Sequence, residues 1–173
     1  IVKNIIKARK IKRITKVFEL VEIIEKSKKK NYKKKINVCT KTFQALRIFV
    51  NQETTELIEG IIKATKVIKT GGKIIIVSFH SIEDKIVKFY FTNHSQNKSK
   101  SSRYFPDEEK NDTILFENYK NRLLTPSKEE IELNPPSRSA KLRFATRNDK
   151  NFIHSDEIKI KFKKYLDLES HNA

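Results

Sequence analysis

The residues of this chain best suited to chemistry are His80 and Glu83, which lie in the heptapeptide SFHSIED at residues 78–84. This heptapeptide stands where an apolar, β-branched run ends and a helical pattern begins. In open α/β sheets, ligands bind outside the carboxyl ends of the strands. A histidine placed there can form a hydrogen bond, move a proton or contact a base. We therefore predict a catalytic site at His80 and Glu83, with a purely loop-tying role for His80 as the alternative.

The neighbouring residues Ser81 and Asp84 have a structural explanation. A serine at a helix start, followed three residues later by an acidic residue, is typical of a capping box. Acidic residues in the first turn also interact favourably with the helix dipole. We therefore expect Ser81 and Asp84 to cap the helix, which leaves Glu83 available for a site.

A stripe of polar residues follows one face of the helix predicted at residues 40–51. Gln44, Arg47 and Asn51 share this face, whereas the rest of the helix is apolar and is typical of a buried element. The stripe either faces water or lines a polar cleft within the protein. Arg47 and Asn51 are therefore candidate RNA contacts.

Three cations surround the start of the last predicted strand, at residues 140–146. Arg138 follows a proline pair in a loop, and strand alternation places Lys141 and Arg143 on one face of the strand. The three residues predict a rim that binds RNA phosphates. A solvated strand edge is the alternative interpretation.

The charge of the chain points in the same direction. The formal net charge is +17, from 38 basic and 21 acidic residues, which favours a polyanionic partner such as nucleic acid. The first 36 residues hold 14 of the basic residues and only 3 acidic ones. The lysine-rich run at 28–35 predicts a phosphate-contacting loop or a solvated tether; its candidate RNA contacts are Lys29, Lys30, Lys33 and Lys34. Because only 8 of the 38 basic residues are arginine, AT-rich codon usage is a competing source of the charge.

Several classes of site and location are disfavoured. Cys39 is the only cysteine, so an internal disulfide is impossible, and we expect a reducing, cytoplasmic location. No apolar run approaches the roughly 20 residues of a membrane span. There is no Cys/His cluster at metal-ligand spacing and no glycine-rich nucleotide-binding motif, so we expect no metal site. The chain begins at Ile1, and we expect it to be a piece of a longer protein.

The elements that must position these residues follow from hydrophobic periodicity. Residues 1–36 predict two basic amphipathic helices, the second capped by Thr15. Further helices are predicted at 40–51, 53–69, 82–92 and 127–133. Residues 73–79 predict a central parallel strand buried on both faces, and residues 140–146 predict a last, antiparallel strand. The polar stretch 93–112 predicts a mobile surface loop, and residues 148–173 form a charged tail without an assigned role.

Three blocks of the sequence together resemble one family. TFQALRIFVNQE at 42–53, GGKIIIVSFHSIEDKIVKFYF at 71–91 and LTPSKEEIELNPPSRSAKLRFATR at 124–147 are similar, in order and spacing, to the 16S ribosomal RNA cytidine-N4 methyltransferases. The resemblance implies an α/β fold, namely the C-terminal part of a class I, Rossmann-like methyltransferase with part of an inserted helical domain. It implies S-adenosylmethionine as methyl donor. The implied acceptor is a cytidine in the decoding centre of 16S rRNA, within the small ribosomal subunit.

The resemblance also divides the chain. Residues 1–39 would end the inserted, basic RNA-recognition domain, and residues 40–147 would form the C-terminal part of the methyltransferase domain. The family's Gly-Gly-His-Ser loop and the acidic residues that hold the cofactor lie upstream of Ile1, so we expect no cofactor-binding residue here and no activity of this chain alone. One arginine of the family's Pro-Arg-Ala-Arg-Ser-like loop is missing at 135–139. The alternatives are a non-catalytic RNA- or ribosome-binding protein derived from a methyltransferase, and a basic α/β interaction module.

Overall fold

The computed structural model describes residues 1–28, 37–95, 114–117 and 119–170, and combines helices with one small sheet. The chain forms two compact units, Ile1–Asn51 and Gln52–Ala173. We expected the helix at 40–51 to belong to the second unit, but it lies in the first. No described helix is both long and apolar enough to cross a membrane.

The first unit begins with the two predicted helices, α1 (Val2–Ile11) and α2 (Val17–Ser27). They pack around Ile24, which is fully buried. The prediction that Thr15 caps α2 is wrong, because Lys16 occupies the N-cap position. The Glu19 carboxylate accepts hydrogen bonds from the backbone N–H of both Thr15 and Lys16, and therefore satisfies the amides that a Thr15 hydroxyl would otherwise serve.

The third helix, α3 (Thr40–Val50), has the predicted bounds but not the predicted burial. None of its residues is buried, and the side chains of Leu46 and Val50 are 42% and 68% exposed. The apolar composition predicted a helix covered on most sides, whereas no described residue covers this face. Cys39, which precedes the helix, is buried as a small apolar group.

The second unit contains the remaining elements. In chain order they are α4 (Glu53–Val67), β1 (Lys73–Ser78), α5 (Ser81–Asn93), α6 (Lys128–Leu133), a 3-10 helix (Pro135–Ser139), β2 (Lys141–Thr146), α7 (Glu157–Lys161) and α8 (Lys163–Ser170). The helices and strands predicted here are confirmed. The unit's core includes Ile58, Ile62, Ile86, Phe91, Phe116, Ala145 and Phe162. The predicted mobile loop at 93–112 lies largely outside the described residues.

The sheet differs from the prediction at β1. This strand pairs antiparallel with β2, in a register that sets Ile76 opposite Arg143, and the described sheet has two strands. Ile74 and Ser78 point inward, but Ile75 and Val77 are 60% and 50% exposed. The prediction of a parallel strand buried on both faces is therefore wrong for the described chain, because α5 packs against the sheet while no described residue covers the opposite face.

The turn into β1 requires glycine. Gly71 has φ +77°, a conformation that L side chains rarely adopt. Its N–H donates to the Arg147 carbonyl at 2.9 Å, and the Arg147 N–H donates to the Gly72 carbonyl at 2.8 Å. These two bonds join the start of β1 to the residue that follows β2, so the turn sets the register of the sheet.

The charged tail is a structural part of the second unit. Ile158 of α7 and Phe162, which follows it, belong to the core and are 1% and 8% exposed. Glu169 of α8 is 2% exposed, and its carboxylate accepts from the backbone N–H of Thr54 and Thr55 at 3.1 and 2.8 Å. These amides open α4, whose N-cap residue provides no side-chain hydrogen bond. The tail helix therefore caps α4.

Candidate functional site

The N-terminus of α5 holds His80 and Glu83 in a capping box. His80 occupies the N-cap position with an extended backbone (φ −137°, ψ 164°), and its Nδ1 accepts from the Glu83 N–H at 3.4 Å. The Glu83 carboxylate accepts from the N–H of Phe79 at 2.9 Å and of His80 at 3.3 Å. The box predicted at Ser81 and Asp84 is therefore wrong by one residue. The residues predicted to do chemistry also begin the helix.

Asp84 instead belongs to a buried ion pair. Its Oδ1 accepts from Nε of Arg143 at 2.7 Å, and its Oδ2 lies 3.4 Å from Nζ of Lys141. The Arg143 guanidinium also donates to the Tyr119 hydroxyl and to Oδ1 of Asn121. Burial by itself raises the pKa of Asp84, but the hydrogen bond and charge of Arg143, with a smaller effect of Lys141, outweigh it and hold the pKa below its ordinary range.

The structure adds a residue that the sequence did not single out. Oε2 of Glu53, the first residue of α4, lies 3.9 Å from His80 Nε2, and Oε1 of Glu83 lies 3.3 Å from the same nitrogen. One ligand atom from each of the three residues lies within 4.8 Å of the other two. The side chain of His80 is 9% exposed, and those of Glu53 and Glu83 are 20% and 26% exposed. The cluster is therefore sheltered but open to solvent through its carboxylates.

The hydrogen bonding of His80 determines what this cluster can do. A neutral imidazole has one N–H donor and one acceptor nitrogen, and Nδ1 of His80 is the acceptor because it faces the Glu83 N–H. Nε2 therefore carries the proton. This nitrogen is buried and has no partner with hydrogen-bond geometry among the described residues. A metal ion would need the lone pair of Nε2, so the arrangement favours a hydrogen-bond donor flanked by two carboxylate acceptors.

The comparison with known protein families agrees with this geometry in its position along the chain. The family model of the MraW methylase family matches residues 1–148, which include Glu53, His80 and Glu83. The chain belongs to the MraW methylase family. Its resemblance to the rRNA methyltransferases, inferred above from three sequence blocks, is thereby confirmed.

Curated relatives of this MraW family member are named ribosomal RNA small subunit methyltransferase H. The protein of Rickettsia typhi is 45% identical over 147 residues, which are 84% of this chain and 47% of the relative. The protein of Bartonella bacilliformis is 38% identical over 170 residues, which are 98% of this chain and 51% of the relative. The chain thus spans about half the length of these relatives. The second alignment extends beyond the family match and includes α7 and α8.

The predicted RNA contacts of this MraW family member occupy different environments. Arg138 is exposed in the 3-10 helix, where its guanidinium donates to the Pro135 carbonyl at 3.2 Å. Lys141 is 35% exposed beside Asp84. Arg143 does not reach the surface, because its side chain is 6% exposed and bound to Asp84. The prediction that Arg143 contacts RNA is therefore corrected, since β2 turns this face toward α5.

The remaining predicted contacts lie elsewhere. Arg47 and Asn51 are exposed at the end of α3, in the first unit. The lysine-rich run falls mostly outside the described residues; its predicted contacts there are Lys29, Lys30, Lys33 and Lys34. The structure therefore brings together only His80 and Glu83 of the predicted set and adds Glu53. The sequence signal for Glu53 was its place at the end of the first family-like block, directly before a helix.

Proposed function

We propose that this chain is part of an S-adenosylmethionine-dependent methyltransferase that modifies N4 of a cytidine in the decoding centre of 16S rRNA. Membership of the MraW methylase family is the observation that carries the proposal. On this proposal the second unit is the C-terminal part of a class I, Rossmann-like domain, and the basic helices of the first unit end an inserted RNA-recognition domain. The acceptor rRNA lies within the small ribosomal subunit.

The chemistry assigns a role to the cluster at the start of α5. The lone pair of a cytosine exocyclic amine is delocalised into the ring, so an enzyme must orient the amine and accept its proton. A base must also leave its stack to reach such a site. Glu83, sheltered beside His80, supplies an acceptor oxygen, and His80 supplies a donor that can orient the base. We therefore assign both residues to the catalytic site.

The residues described here do not fit the cofactor. A loop that cradles a nucleotide needs several glycines after a strand, whereas the glycines of this chain are Gly60, Gly71 and Gly72. The pair Gly71-Gly72 precedes β1 rather than following a strand. We therefore assign no residue of this chain to S-adenosylmethionine and expect no methylation by the 173 residues alone.

RNA binding is the part of the function that this chain can provide. The proposed contacts are Arg47, Asn51, Arg138, Lys141, Lys29, Lys30, Lys33 and Lys34. RNA is held largely through its phosphates, and such contacts weaken as the salt concentration rises. The net charge of +17 also supports a second candidate, a non-catalytic RNA- or ribosome-binding protein derived from a methyltransferase.

Methyl transfer from labelled S-adenosylmethionine to small ribosomal subunits distinguishes these candidates. The full-length protein should label 16S rRNA at a cytidine, and His80→Ala should lower turnover more than it lowers RNA affinity. Lys85→Ala is the matched control, because Lys85 is exposed on the same helix. Normal turnover of His80→Ala would return His80 to a loop-tying role. Labelling by this chain alone would contradict our assignment of the cofactor site.

A further inference from the structure

Two helices converge on one donor nitrogen in the second unit. The first residue of α4, Glu53, and the third residue of α5, Glu83, place carboxylate oxygens 3.9 and 3.3 Å from Nε2 of His80. Oε2 of Glu83 serves the backbone N–H of Phe79 and His80, so Oε1 is the oxygen that faces the cluster. Glu169 caps α4 at Thr54 and thereby holds the turn that carries Glu53. The cluster is built from fixed helix ends.

The three side chains present a defined hydrogen-bond pattern. Each carboxylate is an acceptor, and the protonated Nε2 of His80 is a donor. The Nε2 donor is buried without a partner in hydrogen-bond geometry among the residues described. A buried donor without an acceptor is costly, so a ligand that supplies an acceptor for Nε2 and donors for the carboxylates would complete the cluster.

This pattern matches one edge of a cytosine. Its exocyclic amine offers two N–H donors, and its adjacent ring nitrogen is an acceptor. Uracil has the reverse arrangement, a carbonyl beside a ring N–H, and would set an oxygen against two carboxylates. Acidic side chains are the usual acceptors for the cytosine amine.

We infer that Glu53 is a further substrate-contacting residue, which with Glu83 and the Nε2–H of His80 selects a base that carries an exocyclic amine beside an acceptor ring nitrogen. The inference rests on the proposed function, because it assigns the base to the cluster that contains His80 and Glu83. It adds a residue and a selectivity: Glu53 accepts from the amine, and His80 donates to the ring nitrogen. Adenine shares this edge and must be excluded by its size.

The test compares RNA binding by the full-length protein with synthetic hairpins of the 16S decoding centre that differ at one base. The hairpins carry cytidine, uridine or N4,N4-dimethylcytidine at the target position. The unmodified protein should bind the cytidine hairpin about tenfold more tightly than the other two, which is within the range of one good base contact. Equal binding of all three hairpins would overturn the inference without reference to any variant.

Protein variants then assign the effect to Glu53. Glu53→Gln should reduce the preference for cytidine over uridine to about twofold, since an amide still offers one acceptor but also a donor. Glu53→Asp keeps the carboxylate and should retain part of the preference. The matched control is Glu56→Gln, which removes the same charge from an exposed position in the same turn and should leave the preference unchanged.

The outcomes separate this inference from the proposed function. If Glu53→Gln keeps the full preference while His80→Ala loses turnover, Glu53 is not a substrate contact but the proposed function stands. If the full-length protein prefers cytidine yet transfers no methyl group, the proposed function fails while the base selectivity stands. Stoichiometric binding of Mn²⁺ or Zn²⁺ in calorimetry, abolished by Glu53→Gln, would instead identify a cation site and overturn the inference.

Discussion

Replacing Glu169 by alanine tests whether the tail helix α8 stabilises the second unit through its cap on α4. The Glu169 carboxylate accepts three hydrogen bonds from Thr54 and Thr55, between 2.7 and 3.1 Å long. Gln52, the N-cap residue, has φ +50° and forms no side-chain cap. The contact therefore joins residues more than 110 positions apart in the sequence at a helix end without a cap of its own.

The size of the effect follows from what the substitution leaves behind. Removal of an N-cap side chain costs about 0.5–2 kcal/mol, and a buried donor left without an acceptor costs about 1–3 kcal/mol. Thr54 is 3% exposed, so water cannot readily replace the carboxylate at its N–H. Because the two costs describe overlapping contacts, we expect Glu169→Ala to lower the free energy of unfolding by about 2–3 kcal/mol.

Urea denaturation followed by far-ultraviolet circular dichroism measures this change. Glu56→Ala is the matched control, because Glu56 is an exposed acidic residue in the same first turn of α4. Loss of its interaction with the helix dipole should cost less than about 1 kcal/mol. If Glu169→Ala is no less stable than Glu56→Ala, the carboxylate does not hold α8 on α4 and our account of the tail is refuted.

The other predictions concern the Asp84 ion pair and the turn into β1. Arg143→Ala should lower the free energy of unfolding by about 3 kcal/mol, because it leaves the buried Asp84 charge without its main partner. Since the pKa of Asp84 is depressed in the folded protein, its stabilisation is complete above the ordinary Asp value of about 3.9 and is lost as the pH falls through the depressed value. The stability difference between the unmodified protein and Asp84→Asn, measured by denaturation at several pH values, should therefore shrink in acid; a constant difference would contradict the ion-pair account. Gly71→Ala should destabilise by about 1 kcal/mol because of the positive φ, whereas Gly60→Ala, in a helix with open space around it, should stabilise by about 0.5–1 kcal/mol; equal effects in thermal melts would refute the assignment of strain to Gly71.

Local patterns in the sequence were sufficient to predict most of the elements. Apolar residues at helical spacing located α2, α4 and α5, and the β-branched run before His80 located β1. Ser127 before a helical pattern predicted the start of α6, where its hydroxyl accepts from the Glu130 N–H. These predictions succeed because helix and strand periods depend on residues that are near in sequence. The three family-like blocks also identified the family without any structure.

Tertiary packing decided what the sequence left open. Strand alternation placed Lys141 and Arg143 on one face, but only the position of α5 turns that face inward and gives Arg143 to Asp84. The composition of α3 predicted burial, which depends on what lies against it and is not encoded in the helix itself.

The candidate site shows the same division. The sequence by itself determined that His80 and Glu83 stand between a strand and a helix, three residues apart on one helical turn. Only the tertiary structure decided that they form the capping box, that Nε2 of His80 carries its proton toward the carboxylates, and that Glu53 joins them. Glu53 lies 27 positions before His80, so their contact depends on how α4 and α5 pack, and no local pattern specifies the distance between two helix ends.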